Sequence, residues 1–197
     1  MKWYFTLNIL LILSFSACQT REIESLRCFN SKEDFEICIP VGWPYVDKSD
    51  YFLISKLKGS DDFFAVNVFD NGIGDQMFYD YLTGSHETFF DPNKRLTDYS
   101  IHEFVDNGFR YLYSIYDYEQ QNQRVRFISV TFNSNQKFYD ISIRFDLDNE
   151  PESEELFRKV IIPSIQLRGK SQFDPNRLPK EINEITVDPL DSLLRVK

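Results

Sequence analysis

The sequence predicts a single α+β domain built on an antiparallel sheet of about six to seven strands that is sandwiched by helices. The composition supports a sheet, because 19 Phe and 11 Tyr stand against only 7 Gly and aromatic residues favour strands. Several segments alternate apolar and polar residues, whereas two segments change to a helical period. Turn-forming residues separate the alternating segments at short intervals, so neighbouring strands are expected to be antiparallel.

The strands follow from alternation between turn signals. The first pair is predicted as strand, turn and strand over residues 28–39, where Phe35, Ile37 and Ile39 alternate with Glu36 and Cys38 before Pro40 ends the run. The alternation is cleanest in the last strand. The remaining predicted strands are 51–57, 63–69, 99–105, 109–118, 124–132 and 139–147.

Two helices and a tail complete the expected domain. The first helix spans 74–90, starts near Asp75 and stops at Asp91-Pro92-Asn93. The second spans 151–162, with Pro151 suited to a first helical turn. Residues 168–197 hold three prolines and no sustained period, which predicts a mobile tail or an extended strap, with a short helix over 188–195 as an option.

The N-terminus indicates where the protein works. Lys2 precedes an apolar run over 3–13, which is too short to span a bilayer and is typical of a secretory signal over residues 1–17. Ser16-Ala17-Cys18 resembles the lipobox of bacterial lipoproteins. In that family the cysteine carries fatty acyl chains and becomes the first residue of the mature chain. An ordinary signal cut near Ala17, or an uncleaved one, is the alternative.

The net charge of the chain limits the classes of partner that it can bind. Cleavage before Cys18 removes one of the 22 basic residues, which leaves 21 against 31 acidic residues and a formal net charge of −10. Such a chain is poorly suited to nucleic acid or to anionic lipid. Membrane attachment is therefore expected through lipid on Cys18, with residues 18–25 as a short tether. Position 19 is Gln and not the Asp that signals inner-membrane retention in lipoprotein sorting, which favours the outer membrane of the cell envelope.

The other two cysteines, Cys28 and Cys38, lie in the predicted hairpin. A tight turn around 32–34 places them directly opposite one another, within reach of a cross-strand disulfide. An exported chain favours that bond, and two buried free thiols are the alternative. Cys-x-x-Cys is absent, so the bond is expected to be structural and not catalytic.

The order of elements resembles the PsbP-like family. Phe35-Glu36-Ile37-Cys38-Ile39-Pro40-Val41-Gly42-Trp43 is similar to the opening pattern F-x-I-x-x-P-x-G-W of that family, and Val66-Asn67-Val68 and 139–143 continue the likeness. The resemblance covers residues 27–167, within a domain expected over 26–167. It implies an antiparallel sheet between helices and a non-catalytic accessory module that binds larger assemblies. The family has no shared catalytic motif to transfer.

Motifs for catalysis or cofactor binding are missing, and no cofactor is expected. His86 and His102 have no second histidine at ligand spacing. Gly-x-Ser-x-Gly is absent, and Ser85 beside His86 on one helix would face a different way. Gly72-x-Gly74 lacks the third glycine and the lysine of a phosphate loop.

Two segments remain as candidate binding sites. Asp146, Asp148 and Glu150 offer oxygen ligands at alternate positions for Ca²⁺, although carboxylates are also expected before a helix N-terminus. Tyr111, Tyr113, Tyr116 and Tyr118 lie on both faces of one strand. One face could remain open as a platform for a peptide or glycan, or both faces could be covered.

The sequence therefore predicts an envelope lipoprotein that acts as a non-catalytic binding or assembly module with an envelope protein as partner. An envelope hydrolase with an unrecognised site and a Ca²⁺-responsive binding module are the alternatives.

Overall fold

The computed structural model describes residues 25–30, 35–49, 52–56, 62–70, 94–106, 109–173 and 181–184. The predicted signal segment 1–17, Cys18, the predicted helix 74–90 with His86, and the optional helix 188–195 lie outside the described residues.

The described strands form two antiparallel sheets, one of four and one of eight strands. In chain order the strands are β1 (Leu26–Asn30), β2 (Phe35–Pro40), β3 (Tyr45–Ser49), β4 (Phe52–Lys56), β5 (Phe63–Asp70), β6 (Lys94–Asp106), β7 (Phe109–Gln120), β8 (Gln123–Ser134), β9 (Lys137–Asp146), β10 (Gln166–Leu167), β11 (Lys170–Ser171) and β12 (Glu181–Glu184). The small sheet has the order β1-β2-β10-β11, and the large sheet has the order β12-β6-β7-β8-β9-β5-β4-β3.

The expected single sheet of six to seven strands is corrected by this division. β2 pairs with β1 on one side and β10 on the other, so both of its edges are used within the small sheet. The sequence prediction missed β3, β10, β11 and β12, which are short. Within the predicted tail, β12 pairs with β6 at the edge of the large sheet.

The hairpin turns match their sequence signals. Gln121 and Asn122 join β7 to β8 with φ values of 51° and 67°, and Asn135 and Gln136 join β8 to β9 with 50° and 62°. Two consecutive left-handed residues give the turn whose twist matches the flanking strands. Both turns fall in the gaps between the predicted strands 109–118, 124–132 and 139–147, and they fix the register of three long central strands.

One helical segment follows β9 and changes its hydrogen-bonding pattern along its length. It begins as α1 (Glu152–Leu156), continues as π-helix over Phe157–Ile161 and ends as a 3₁₀ turn over Ile162–Ser164. The N–H of Ile162 donates to the carbonyl of Phe157, five residues earlier. Pro163 has no N–H to donate, so the regular helical ladder cannot continue through it.

The main core lies between the large sheet and the layer formed by the small sheet and the helical segment. We call the side of the large sheet that meets this layer the inner face. It carries Ile128, Val130 and Phe132 from β8, opposite Ile37 of β2 and Phe157 of the helical segment. Each of these five side chains is at most 1% exposed.

The predicted helix sandwich is only partly matched. Among the described residues, the helical segment and the small sheet cover the inner face together. Ser164 joins these two parts, because its hydroxyl accepts a hydrogen bond from the N–H of Cys38 at 2.9 Å and donates to the carbonyl of Ile161 at 2.6 Å. The described domain is therefore mostly β structure.

Candidate functional site

The opposite face of the large sheet carries a buried row of small polar residues. Ser114, Ser129 and Ser142 lie side by side on β7, β8 and β9, and Ala65 of β5 continues the row. All four are buried. Because their side chains are small, these residues project only a short distance from the backbone of the sheet.

A second polar row runs beside the serines. Thr131 and Asp140 are register partners on β8 and β9 and are also buried. The hydroxyl of Ser129 donates to Oδ1 of Asp140 at 2.7 Å. Oγ1 of Thr131 is buried and has no hydrogen-bond partner among the described residues. We call these two rows the polar band. The hydroxyls and the carboxylate of the polar band can form hydrogen bonds and can orient a group that they contact.

Arg144 organises one end of the same face. Its Nε donates to the hydroxyl of Tyr118 at 2.7 Å, while Nη1 and Nη2 reach Asp62 and Gln120 at 3.2 Å each. The side chains of Arg144 and Asp62 are only 13% and 4% exposed. Burial raises the pKa of Tyr118, against the opposing effect of the Arg144 charge. Tyr118 is therefore held as a neutral hydrogen-bonding group.

A second arginine ties the inner face to the helical segment. Arg126 of β8 binds both carboxylate oxygens of Asp117 on β7 and also reaches Glu154 of α1 at 2.6 Å. The hydrogen bonds that Arg126 donates to Asp117 raise the pKa of Arg126 above its ordinary value, and Glu154 adds to the effect while burial opposes it. These contacts of Arg126 fix the position on the sheet at which the helix begins.

The expected tyrosine platform is corrected by the burial of β7. Tyr111 packs into the inner-face core, and Tyr116 and Tyr118 belong to a separate cluster on the opposite face. The exposed fractions of these three residues are 4%, 1% and 2%. Tyr113 is partly buried against the inner-face core, and its hydroxyl is buried without a hydrogen-bond partner among the described residues. Both faces of the strand are covered, so it offers no open aromatic surface.

The hydrogen bonds of Asp146 favour the alternative to the expected Ca²⁺ site, in which these carboxylates stand before a helix. Oδ1 of Asp146 accepts from the backbone N–H groups of Asp148 and Asn149, and Oδ2 accepts from the side-chain amide of Asn149. Burial opposes ionisation, but these hydrogen bonds lower the pKa of Asp146 below its ordinary value. Asp148 pairs instead with Arg124 at 2.9 Å. The carboxylates of Asp146, Asp148 and Glu150 form no converging ligand group.

Cys28 and Cys38 are joined by a disulfide and are direct register partners in the β1–β2 hairpin. Cys28 is exposed and Cys38 is buried. Within the described residues, the single convergent group of potential metal ligands consists of these two sulfurs and Glu36. A metal needs free thiolates, whereas these sulfurs are bonded to each other, so the pair is structural.

The remaining predicted features are structural in the described domain. His102 lies on β6 with its ring 6.1 Å from that of Phe104. Trp43 closes the turn after β2 by donating its N–H to the carbonyl of Pro40 at 3.1 Å. Its ring then packs 5.9 Å from Phe64 in the core. In the part of the chain that the structure describes, no helix has the length and apolar character needed to cross a bilayer.

Comparison with known proteins identifies the fold. No family model and no curated protein matches the sequence. The solution structure of cyanobacterial PsbP (CyanoP) from Synechocystis matches with a TM-score of 0.55 at 15% identity and covers 78% of this chain and 98% of that chain. The protein has a PsbP-like fold. The PsbP-like fold that the resemblance over 27–167 implies is therefore confirmed, whereas the sandwich of helices is matched only in part.

Two further solved structures match with lower TM-scores. A protein of unknown function from Pseudomonas aeruginosa, described as a putative regulator, has a TM-score of 0.42 at 18% identity over 68% of this chain and 91% of that chain. LpqN of Mycobacterium tuberculosis, described as involved in cell envelope biogenesis, has a TM-score of 0.44 at 11% identity over 72% of this chain and 91% of that chain.

Neither the two arginine clusters nor the polar band of the PsbP-like domain was predicted from the sequence. One signal was present in β9, where Asp140, Ser142 and Arg144 alternate with apolar residues. Such a strand is ordinarily read as polar towards solvent, yet Asp140 and Ser142 are buried. The alternation of polar and apolar residues therefore assigned Asp140 and Ser142 to the correct face of the sheet, but it did not indicate that this face is buried.

Proposed function

We propose that this protein is a lipid-anchored envelope protein whose PsbP-like domain is a non-catalytic module that binds or assembles a larger envelope complex. The proposal depends on Cys18 as a lipidated residue and on the outer membrane as its location, which Gln19 favours. The partner is an envelope protein that the anchored domain meets close to the membrane.

The short length of chain between Cys18 and the first described residue carries this proposal. The described fold starts at Ser25, whose carbonyl accepts from the N–H of Val41 at 2.9 Å. The six residues between Cys18 and Ser25 make seven Cα–Cα steps, which can span at most about 25 Å. A lipid on Cys18 would therefore hold the domain next to the membrane surface. The disulfide-closed hairpin that follows gives the tether a rigid attachment point.

The buried charged groups of the described domain support a structural and not a catalytic role. Arg126 is used by Asp117 and Glu154, and Arg144 by Tyr118 and Asp62. These groups connect strands to one another or to the helical segment. Residues tied in this way hold a scaffold, and a binding module needs a scaffold with a specific outer surface.

In-cell crosslinking of the full chain tests the partner, with Cys18→Ala as the matched non-lipidated control. We expect one or two envelope proteins to be recovered with the wild type and lost with the control. Mass spectrometry of the mature N-terminal peptide tests the anchor separately, with an acylated Cys18 expected. An unmodified Cys18 would overturn the anchor, and an empty crosslinking result at good yield would overturn the assembly role.

A further inference from the structure

The face of the small sheet that is turned away from the main core carries a cluster of potential metal ligands. Glu36 and Cys38 are two residues apart on β2 and therefore share this face, and Cys28 is the register partner of Cys38 on β1. A carboxylate oxygen of Glu36 and the two sulfur atoms all lie within 4.8 Å of one another. Cys28 is exposed and Glu36 is half-buried, so groups in solution can reach the cluster. We call these three residues the hairpin cluster.

β2 holds two of the three residues in fixed positions. It is paired on both edges, and Ile37, which separates Glu36 from Cys38, is 1% exposed in the core. The N–H of Cys38 donates to Ser164 on the β10 side at 2.9 Å. This N–H therefore points away from β1, and Cys28 and Cys38 form a non-hydrogen-bonded pair, in which opposed side chains are closest.

The two sulfurs of the oxidised protein are bonded to each other, whereas a metal needs thiolates. A dithiol that attacks the disulfide at Cys28, the exposed partner, breaks the bond between the sulfurs and leaves through its own disulfide. Two electrons and two protons pass from the dithiol to Cys28 and Cys38, which become thiols. A metal ion that binds there displaces one proton from each thiol.

We propose that the reduced hairpin binds Zn²⁺ through the thiolates of Cys28 and Cys38 and the carboxylate of Glu36. Tetrahedral Zn²⁺ with sulfur ligands at about 2.3 Å requires two sulfurs about 3.8 Å apart. Directly opposed cysteines of a non-hydrogen-bonded pair reach this separation by side-chain rotation. A carboxylate oxygen at about 2.0 Å is the third ligand, and this hard ligand favours Zn²⁺ over Cu⁺, which prefers soft sulfur ligands.

The fourth coordination position is left for water or for a neighbouring amide oxygen. Asn30 and Gln166 are the register partners of Glu36 on its two sides and share its face. The hairpin is thus crosslinked by a disulfide when oxidised and by Zn²⁺ when reduced, so β1 stays attached to β2 in both states. Oxidation releases the metal, because sulfurs bonded to each other are no longer thiolates. The site depends neither on the lipid anchor nor on the envelope partner.

The test uses the full chain from residue 18 onward with Cys18→Ala, so that Cys18 supplies no thiolate. The disulfide is reduced with a phosphine, and competition with a chromophoric chelator measures the affinity for Zn²⁺. Co²⁺ in place of Zn²⁺ reports the ligands, because bonds from cobalt to thiolate give a charge-transfer absorption band. The same chain left oxidised is a folded control with blocked sulfurs, and Cys28→Ala with Cys38→Ala removes both sulfurs.

We expect the thiolate band and a one-to-one Zn²⁺ complex in the reduced chain, and neither in the oxidised chain or the double variant. Zn²⁺ should also raise the melting temperature of the reduced chain without changing that of the oxidised chain. Glu36→Gln should weaken Zn²⁺ binding by about tenfold or more. Glu155→Gln is the matched control, since Glu155 is an exposed carboxylate on the helical segment, and it should leave the affinity unchanged.

Two results would overturn the proposal. The first is a reduced chain that shows no thiolate band with Co²⁺, because the sulfurs would then bind no metal. The second is an equal affinity for Zn²⁺ in Glu36→Gln and in its parent, because two cysteines alone would then explain the binding.

Discussion

Arg126 and Asp117 are register partners on neighbouring strands and form a two-pronged ion pair, with Nε to Oδ1 at 2.7 Å and Nη2 to Oδ2 at 2.6 Å. Planar guanidinium and carboxylate groups match each other in this geometry, and such pairs are stronger than single hydrogen bonds. The third contact of Arg126, to Glu154, extends the pair to the helical segment. One arginine thus connects β7, β8 and α1.

Arg126→Lys should lower the free energy of unfolding by about 1–2 kcal/mol, because lysine keeps the charge but cannot make the paired contact. Urea unfolding measures the change. Arg124→Lys is the matched control, since Arg124 and Asp148 are 61% and 54% exposed and exposed pairs contribute less than about 1 kcal/mol. Equal losses of unfolding free energy in the two variants would show that the paired contact between Arg126 and Asp117 has no special role.

Tyr118→Phe should destabilise the fold by about 1–3 kcal/mol, because it removes a hydrogen-bond acceptor from the largely buried Arg144. Tyr113→Phe makes the same chemical change on the same strand. The Tyr113 hydroxyl is buried without a hydrogen-bond partner among the described residues, so its removal should be neutral or stabilising. Thermal unfolding of both variants measures the two changes in stability. A larger loss of stability in Tyr113→Phe than in Tyr118→Phe would contradict the assigned contacts.

Ser129→Ala should cost about 1–3 kcal/mol, because Oδ1 of buried Asp140 loses the donor that lies 2.7 Å away. Thr131→Val changes the neighbouring residue of the polar band and removes a hydroxyl that has no hydrogen-bond partner among the described residues. We expect Thr131→Val to be neutral or stabilising in denaturant titration. If both variants behave alike, the polar band is not held by the Ser129–Asp140 bond.

Removal of the disulfide by Cys28→Ala with Cys38→Ala should destabilise the domain by about 3 kcal/mol, on the chain-entropy model for a sequence separation of 10. Because Cys28 is exposed, a reducing agent should lower the melting temperature of the wild type towards that of the double variant. A melting temperature that is unaffected by both treatments would rule out a stabilising role.

Glu150→Gln should raise stability at neutral pH. Burial, with the nearby charge of Asp62, raises the pKa of Glu150 in the folded state. The folded state therefore binds the proton more tightly than the unfolded state, and stability falls as pH rises from the ordinary glutamate pKa of about 4.3 through the raised folded value. The gain in the variant should disappear below that range, as measured by unfolding at several pH values.

Glu155→Gln is the control with the opposite sign. The hydrogen bond from Lys159 lowers the pKa of the exposed Glu155. The contribution of Glu155 is therefore present above its ordinary pKa and is lost as pH falls through the lowered folded value. A gain at neutral pH in Glu155→Gln as well would show that general charge reduction explains the result for Glu150→Gln.

The local features of the fold follow from short stretches of the sequence. Alternation placed β9, turn residues placed both long hairpins, and the spacing of Cys28 and Cys38 gave their register in the β1–β2 hairpin. The pattern around Pro40 and Trp43 was sufficient to indicate a PsbP-like fold. These features depend on residues close together in the chain, for which steric limits and side-chain period leave few alternatives.

The division of these elements between two sheets and the burial of their faces depend instead on contacts between residues that are distant in the chain. β2 belongs to the small sheet because β1 and β10 use both of its edges, and Tyr116 is buried because the opposite face of β7 carries its own cluster. Ser114, Ser129 and Ser142 form a row only through the registers of three strands. Such relationships join residues far apart in sequence, where the alternation of each strand is satisfied equally well by several pairings.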